Sequence, residues 1–469
     1  MAYGTSSRRC VAPFGRRRAA ARLMTACWLA VAASTAHAST QVGTVQNYSA
    51  TPTSIARVPG TRKAYVSSQS AASGQQIAIV DTQTKTVTGY VSGYPDYLPG
   101  FIGVSHDGRI AAALDYPKSQ VYIIDTGKDA VIGPVTFDTP PDYDNSYFTS
   151  VAFSRDGKTA YTTSRVFAED PGVTVIDVAS RKQHGAIPVT GVFIATSPTQ
   201  DKAYVVTRGK VDIIDTIGNT VTGSVAGLQT TISGFSPQVL AFSDDGATAY
   251  IGGINGDSRM SIAVVDATHD RAIGSIPVDA WWGCKLGDIG VYSIAFAPDG
   301  KTAFAEFDNS RCANMGTLVI DTATRTAKGT IPGLPNGGWL RSWSTGQSTL
   351  ATSPDGRHLY VGIVGQFNSD PDDVAVADLD PATPQGISPS SGTTSGGQVR
   401  ISGANLAGTT AVYFGGPAYE GTGLMFVSDS AFIVTAPPHP VGVVDVTLVN
   451  LGGNATMPRA FTYVTSPAP

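Results

Sequence analysis

A β-strand pattern that ends in aspartate occurs seven times in this 469-residue chain and limits what the chain can fold into. Each copy is a run of mostly β-branched residues followed directly by the acid, and successive aspartates lie 38 to 57 residues apart. That period is typical of four-stranded propeller blades rather than of helical repeats. The seven copies are Ile77–Asp81, Val121–Asp125, Val173–Asp177, Val211–Asp215, Ile262–Asp266, Thr317–Asp321 and Val374–Asp378.

A second element, an Asp-Gly turn between two alternating apolar runs, precedes most of these copies. It is clearest at Asp156-Gly157 and Asp299-Gly300, and such a turn predicts a tight β-hairpin. A short polar turn follows most of the repeated aspartates, as in Asp81-Thr-Gln-Thr-Lys-Thr86. Aspartate and threonine side chains can bond nearby backbone amides in such turns. We therefore interpret the repeated aspartates as structural rather than catalytic.

Together these elements resemble the YVTN family of propeller repeats, in which a β-run ending in Asp-Thr alternates with a Ser-Pro-Asp-Gly turn. The resemblance covers residues 41–380 and implies an all-β fold, a seven-bladed β-propeller that we assign to residues 39–380. The seventh repeat supplies only three strands, whereas residues 41–46 read like an isolated outer strand. We predict that this N-terminal strand completes the last blade and closes the ring, because closure removes exposed sheet edges at the seam.

The pattern changes after a proline-rich linker, residues 381–385. Short alternating strands separated by glycine and proline turns predict a small β-sandwich over residues 386–465. This segment resembles an IPT/TIG domain, which has an immunoglobulin-like fold. The matching motifs are Ile387-Ser-Pro, Gly396-Gly397, Val399–Gly403, Val412–Gly416, Val444–Val449 and Phe461-Thr-Tyr463.

The pattern of residues 1–38 is typical of a secretory signal peptide. Arginines up to Arg22 precede the apolar run Leu23–Ala33 and a small-x-small site at residues 36–38, so we expect cleavage before Ser39. Cleavage removes six arginines and leaves 26 basic against 36 acidic residues, which argues against a nucleic-acid partner. No later stretch reaches the roughly 20 apolar residues that a membrane span requires. We expect an exported protein that is periplasmic, on the cell surface or extracellular.

Two of the four cysteines leave with the signal peptide, and Cys284 and Cys312 remain. Two cysteines in an exported chain predict one disulfide bond, and both of these lie in connections that open on the same propeller face. A zinc site is the weaker interpretation because zinc requires about four ligands at clustered spacing. The sequence predicts no metal site and no cofactor, since its acidic residues lack a calcium-loop spacing.

The candidate binding site lies in the long connections, which the repeat places together on one propeller face. These connections are rich in aromatic residues, and long loops on a rigid scaffold are where binding residues concentrate. Exposed rings stack on sugars or fill pockets of a protein partner. The alternative for each tryptophan is that it packs beneath its own loop. The candidate residues are Trp281, Trp282, Trp339, Trp343, Tyr94, Tyr97, Tyr143 and Tyr147.

Function is predicted to be binding or adhesion, with a glycan or an extracellular or envelope protein as the partner. The sequence contains no Gly-x-Ser-x-Gly elbow, His-Glu-x-x-His helix, Walker loop or dinucleotide glycine pattern, so catalysis is the less favoured class. Two alternatives stay open. One is a lactonase-like or other hydrolase on a propeller scaffold, and the other is a structural envelope component that assembles through its immunoglobulin-like domain.

Overall fold

The structure is a computed structural model of the chain, and its described part is almost entirely β-structure. Within that part there are 36 strands and one four-residue helix, α1 (Leu228–Thr231). The strands form nine four-stranded sheets. The described residues are 42–68, 76–95, 99–115, 120–137, 146–166, 172–207, 209–257, 259–278, 289–309, 314–331, 349–363, 373–406, 409–428, 430–450 and 452–465.

Seven of the nine sheets lie between Val42 and Asp378. Six of them are built from four consecutive strands, and the seventh joins the last three strands to the first strand of the chain. The first sheet contains β2 (Pro52–Arg57), β3 (Lys63–Ser68), β4 (Ile77–Asp81) and β5 (Thr86–Tyr90), the second β6 (Pro99–Val104), β7 (Ile110–Asp115), β8 (Gln120–Asp125) and β9 (Ala130–Pro134), and the third β10 (Ser146–Phe153), β11 (Thr159–Val166), β12 (Val173–Asp177) and β13 (Lys182–Ile187). The fourth contains β14 (Phe193–Thr196), β15 (Lys202–Thr207), β16 (Lys210–Asp215) and β17 (Thr220–Ser224), the fifth β18 (Ser236–Phe242), β19 (Thr248–Ile254), β20 (Met260–Asp266) and β21 (Arg271–Pro277), and the sixth β22 (Ile289–Phe296), β23 (Thr302–Asn309), β24 (Asn314–Asp321) and β25 (Thr326–Thr330). The seventh contains β26 (Leu350–Thr352), β27 (His358–Ile363), β28 (Asp373–Asp378) and β1 (Val42–Thr44).

The inner strands of these sheets surround a central channel. Each inner strand, the first of its sheet, contacts the inner strand of the next sheet, and β26 of the seventh contacts β2 of the first. The connection from first to second strand has five residues in every sheet, and the connection from third to fourth has four in the first six. We call the side with these connections the short-turn face and the opposite side the long-connection face. The arrangement is propeller-like.

The repeated aspartates fix the four-residue turns, as the sequence predicts. Asp81 Oδ1 accepts hydrogen bonds from the backbone N–H groups of Gln83 and Thr84, at 2.9 and 2.8 Å. Asp321 does the same with Thr324, and this bond, with Lys328 beside it, lowers the pKa of Asp321 to about 2 although partial burial opposes the shift. Asp378 differs because no four-residue turn follows it. The other aspartates that accept turn N–H groups are Asp125, Asp177, Asp215 and Asp266.

Five of the seven five-residue turns contain the predicted Asp-Gly pair, whereas the turns at residues 58–62 and 197–201 form hairpins without it. Ser154 begins one of them, and its hydroxyl donates to Asp156 Oδ1 at 2.8 Å. Gly157 donates its N–H to the Ser154 carbonyl at 2.9 Å and has a φ of +71°, in the left-handed region that glycine adopts without steric cost. Paired strands on either side make the hairpin assignment correct for all seven sheets.

A level of small residues surrounds the channel and was not foreseen from the sequence. Each inner strand has Ala or Gly at the same position, and in six of the seven sheets its partner on the second strand is a tyrosine or phenylalanine. Inner strands lie next to one another at this level, and the approach is close at Gly103. A Cβ atom on Gly103 would lie 2.5 Å from the carbonyl oxygen of Val151 in the next sheet. The small residues are Ala56, Gly103, Ala152, Ala195, Ala241, Ala295 and Ala351.

The aromatic partners link each sheet to the next. The Tyr161 hydroxyl lies 2.7 Å from Asn219 Oδ1 and 3.0 Å from the Thr216 carbonyl, both in the β16–β17 turn of the following sheet. Tyr65 and Tyr204 donate in the same way to Asp129 and Asp270 of their following sheets. These hydroxyls join a second strand to a turn more than fifty residues further along the chain.

We expect Tyr161→Phe to lower the free energy of unfolding by about 1 kcal/mol, the usual net contribution of one such hydrogen bond. Tyr250 is the matched control, because its hydroxyl is buried without a partner in the described part of the chain, and burial raises its pKa to about 12. Tyr250→Phe should leave stability unchanged or slightly raise it. Urea unfolding of both variants measures the difference, and equal losses would show that these hydroxyls do not act through their bonds.

The seam between the seventh and first sheets repeats the contacts of the other junctions. Tyr360 donates to the Thr82 carbonyl at 2.7 Å, the Lys85 ammonium pairs with Asp378, and β1 pairs antiparallel with β28. Beyond β1 the chain continues to Gln46, which forms a parallel bridge to Thr86 like those between neighbouring outer strands elsewhere. The predicted pairing of residues 41–46 with the last sheet is therefore observed over Val42–Thr44.

The C-terminal segment forms two facing sheets with a shared apolar core. One sheet has the order β29-β31-β34-β33 and the other β30-β36-β35-β32, and Phe414, Phe432 and Tyr463 are buried between them. The strands are β29 (Thr383–Ser388), β30 (Ser391–Thr393), β31 (Gly397–Ala404), β32 (Thr409–Phe414), β33 (Thr422–Ser428), β34 (Ala431–Ala436), β35 (Gly442–Asn450) and β36 (Ala455–Val464).

The junction between the two regions is short and well bonded. Strand β29 begins at Thr383, so it includes part of the segment 381–385 that the sequence suggested as a linker. Arg357, in a five-residue turn of the seventh sheet, makes two hydrogen bonds of 2.7 Å to the Asp380 carboxylate. Gly452 packs so closely on the junction that a Cβ atom there would lie 2.0 Å from the Leu379 carbonyl oxygen.

Candidate functional site

Most residues of the predicted aromatic site lie outside the described residues, and the prediction for them stays a prediction. Of the eight, the structure describes the surroundings of Tyr94 and the backbone of Tyr147, which pairs with Arg165 at the long-connection end of β10. The predicted disulfide falls outside the described residues as well. The residues outside are Trp281, Trp282, Trp339, Trp343, Tyr97, Tyr143, Cys284 and Cys312.

Tyr94 is a core residue rather than a surface ring. It is 6% exposed, and its ring meets the ring of Tyr122 edge to face at a centroid distance of 5.2 Å. Burial raises the pKa of Tyr94 well above its ordinary value, and the charge of Asp115 adds to the shift. This position differs from the exposed one that the sequence suggested, because the residue follows a strand end that packs between two sheets. Tyr94 therefore anchors the connection in which it lies.

Beneath the long-connection face lies a layer of buried hydroxyl groups. Thr53 donates to the Pro99 carbonyl of the next sheet at 2.8 Å, and its oxygen lies 2.7 Å from Ser67 Oγ. Serines of three inner strands accept an N–H from the inner strand of the following sheet, which ties the sheets together below this face. These pairs are Ser54 with Ile102, Ser150 with Ile194 and Ser293 with Leu350, at 3.2, 2.9 and 3.2 Å.

Three buried acidic residues lie in the half of their strands that is nearer the long-connection face, and the sequence analysis did not single them out. Asp115, Asp212 and Glu306 are 0%, 3% and 6% exposed. Asp212 is paired with Lys210 at 2.7 Å, and Glu306 accepts a hydrogen bond from Thr349. The signal available in the sequence was an acid within an apolar strand, as at the end of Ile110–Asp115. Such acids strengthen the scaffold when they are fully bonded.

Side chains cross the central channel near the short-turn face. Arg57 of the first sheet makes two hydrogen bonds to Asp244, beside the fifth sheet, at 3.1 and 2.9 Å. His106 Nε2 lies 2.9 Å from Thr196 Oγ1, although their sheets, the second and the fourth, are not neighbours. Burial lowers the pKa of His106, while the charges of Asp107 and Asp244 oppose the shift. The imidazole is therefore neutral at pH 7, and these contacts narrow the channel mouth.

Neither a metal site nor a membrane-spanning helix is found in the part of the chain that the structure describes. No three His, Cys, Asp or Glu side chains there are grouped so that they could hold a metal ion. No helix in the described ranges is long and apolar enough to cross a bilayer.

The C-terminal segment with its paired sheets matches a family model. Residues 382–463 match the model of the IPT/TIG domain. The family model starts just before β29 and ends within β36, so it spans both sheets. This confirms the resemblance seen in the sequence and places the start of the domain a few residues earlier than residue 386.

Among solved structures, the chain is similar to β-propellers of the WD40 type. It matches the structure of U3-55K with a TM-score of 0.51 and 12% identity over 72% of this chain and 98% of that one. It matches the RRP9 WD40 repeats with a TM-score of 0.51 at 12% identity, covering 72% and 97%. The Cps50 (Swd1) β-propeller domain of Myceliophteria thermophila gives 0.50 at 12%, covering 72% and 99%. At this identity the likeness shows the fold alone. No curated protein matches the chain in sequence.

Proposed function

We propose that this chain is an exported binding protein whose seven sheets are the blades of a propeller closed by strand β1. The long-connection face presents aromatic side chains to a glycan or to an extracellular or envelope protein. The IPT/TIG domain extends from the propeller and supports or adds to that contact. The contacts that support closure are the cyclic series of inner strands and the junction contacts repeated at the seam.

One observation carries the proposal, the difference between the two faces. Every connection of the first six sheets on the short-turn face has four or five residues, and aspartate and serine side chains fix these turns. The longest connections join the last strand of one sheet to the first strand of the next, and four of the five tryptophans lie in two of these segments of the sequence. Variable loops on a rigid base suit recognition of a large partner. The buried hydroxyl layer makes the base of this face rigid.

The channel favours recognition over hydrolysis. The Asp244 carboxylate at its mouth is already engaged by Arg57, and the His106 imidazole there lies within hydrogen-bond distance of Thr196. A general base needs a carboxylate or imidazole that is free to take a proton from substrate. The short turns are nearly identical in length from sheet to sheet. The long-connection face is therefore the more variable of the two faces, and variable loops suit recognition.

We expect residues 39–469 to bind at least one of cellulose, chitin, peptidoglycan or an envelope protein fraction in a pull-down assay. Changing Trp281, Trp282, Trp339 and Trp343 together to alanine should abolish that binding, since buried aromatic anchors commonly contribute 2 kcal/mol or more each. The matched control changes four exposed apolar residues elsewhere to alanine, and it should bind like the unmodified chain. Its positions are Ile132, Ile217, Val221 and Met425.

All three proteins must melt alike for the comparison to count. Binding that survives in the folded tryptophan variant, or binding absent from every protein against the whole panel, would contradict the proposal. Loss in the control as well as in the tryptophan variant would point to a nonspecific apolar contact instead.

A further inference from the structure

The central channel contains a cavity of about 260 Å³ that is separate from the long-connection face. It lies between two levels at which side chains cross the channel. At the deeper level the rings of Phe101 and Phe193 meet edge to face, with centroids 5.8 Å apart and planes at 85°. At the mouth His106 meets Thr196. Phe193 and Thr196 are three residues apart on β14, so the levels are about 10 Å apart. We call this space the channel chamber.

Polar and apolar atoms share the chamber wall about equally. Three alanines of the small-residue level, Ala152, Ala195 and Ala241, leave the space open, and Val104 and Phe242 complete the wall between the aromatic floor and the mouth. An apolar cavity of about 150 Å³ is enough to hold a benzene molecule in a protein core. The channel chamber is larger than that, so a single ring with one substituent fits within it.

The charged groups of the chamber lie at the mouth end, and they are electrically balanced. Arg57 and Asp244 neutralise each other across the channel, and partial burial of His106 lowers the pKa of its imidazole, which favours the uncharged form. A charged ligand would lose its water shell here and gain no unpaired opposite charge from the described residues of the mouth. A neutral ligand can accept from or donate to the Thr196 hydroxyl, which serves as both donor and acceptor.

We propose that the channel chamber binds a neutral aromatic ring with one hydroxyl or N–H group, as in a phenol or an indole. The ring lies against Phe101 and Phe193, where aromatic pairs gain from edge-to-face contact. Its polar substituent points to the mouth and hydrogen-bonds to Thr196 or His106. The ligand is a free small molecule or the tyrosine or tryptophan side chain of a partner, and both present the same chemistry. This inference does not depend on the proposed function.

Isothermal titration of residues 39–469 with p-cresol tests the site. Val104 lines the chamber, so Val104→Phe narrows it. The fold tolerates phenylalanine at this strand position because Phe153, Phe242 and Phe296 stand there in other sheets. We expect p-cresol affinity to fall at least tenfold in this variant. The control Ile132→Phe adds the same ring at a site that is 45% exposed, and it should leave the affinity unchanged.

A second variant keeps the test decisive if Val104→Phe does not fold. Thr196→Val preserves the shape of the side chain and removes the hydroxyl, so p-cresol affinity should fall by up to about tenfold while toluene affinity stays the same. Binding of N-acetyltyrosinamide as well as p-cresol would identify a partner side chain as the source, and binding of p-cresol alone a free small molecule. The proposal is overturned if p-cresol fails to bind at millimolar concentration, or binds equally to wild type, Val104→Phe and Thr196→Val.

Discussion

A chain that starts at residue 48 should unfold about 5 °C below one that starts at residue 39. The missing residues contain β1, which supplies the fourth strand of the seventh sheet, and Val45, which is 2% exposed in a core cluster with Val374 and Tyr360. Val45 also donates to the Val374 carbonyl at 2.9 Å. Losing one buried valine and a strand of backbone bonds costs about 4 kcal/mol. For a domain of about 340 residues that lowers Tm by about 5 °C.

A single substitution separates the loss of the strand from a general effect of truncation. Val45→Asp places a charge in the buried cluster at the seam, whereas Val443→Asp places the same charge at a position that is 45% exposed in the IPT/TIG domain. Calorimetry should show a large drop in Tm for the first variant and little change for the second. If the chains that start at residues 39 and 48 melt within about 2 °C of each other, β1 does not contribute measurably to stability.

Local signals made the fold readable from the sequence. The aspartate that ends a strand also accepts hydrogen bonds from the turn that follows it, and the Asp-Gly turn defines where the strands on either side of it end and begin. The strands and turns of each repeat can therefore be predicted from short stretches of sequence. The closing strand could be inferred because the seventh repeat lacked an outer strand. The IPT/TIG motifs likewise lie in local turns and strands, and the family model confirms them.

Contacts between distant segments could not be read in this way. Arg57 and Asp244 are 187 residues apart and meet only because their sheets face each other across the channel. The small-residue level was present in the sequence as an alanine or glycine at one strand position, but its meaning depends on the register with the facing aromatic residue. The register of the strands and the arrangement of the sheets around the channel are properties of the assembled fold. The channel chamber could therefore not be predicted from the sequence.

The candidate site was predictable only as a region. Composition identified the connections that are rich in aromatic residues, and the repeat predicted that they share one face. A single sequence could not distinguish an aromatic side chain that is buried from one that is exposed for binding. Tyr94 illustrates the limit, because it shares the composition of the predicted site and packs against Tyr122 in the core. Burial depends on which strand end a residue follows, and that is decided by packing between sheets.

Gly103→Val should be the most destabilising single substitution at the small-residue level, with a loss of about 3 kcal/mol or more. A Cβ atom on Gly103 would lie 2.5 Å from the Val151 carbonyl oxygen and 3.0 Å from Val151 Cγ1, and the backbone oxygen cannot move without displacing β10. Overpacking a core usually costs 1–3 kcal/mol, and here it acts on a close approach of two inner strands. Valine adds two further methyl groups to that overlap.

The matched control is Gly223→Val on the outer strand β17, where a Cβ atom would meet nothing within 4 Å. Valine favours strands, so this control should be neutral or slightly stabilising. Urea midpoints of both variants measure the contrast, with Gly103→Ala as the milder change if the valine variant does not fold. Equal midpoints for the two valine variants would mean that the inner strands have room to separate. A large difference would show that glycine is required there because the strands converge, which is the same geometry that leaves the channel chamber lined by alanine.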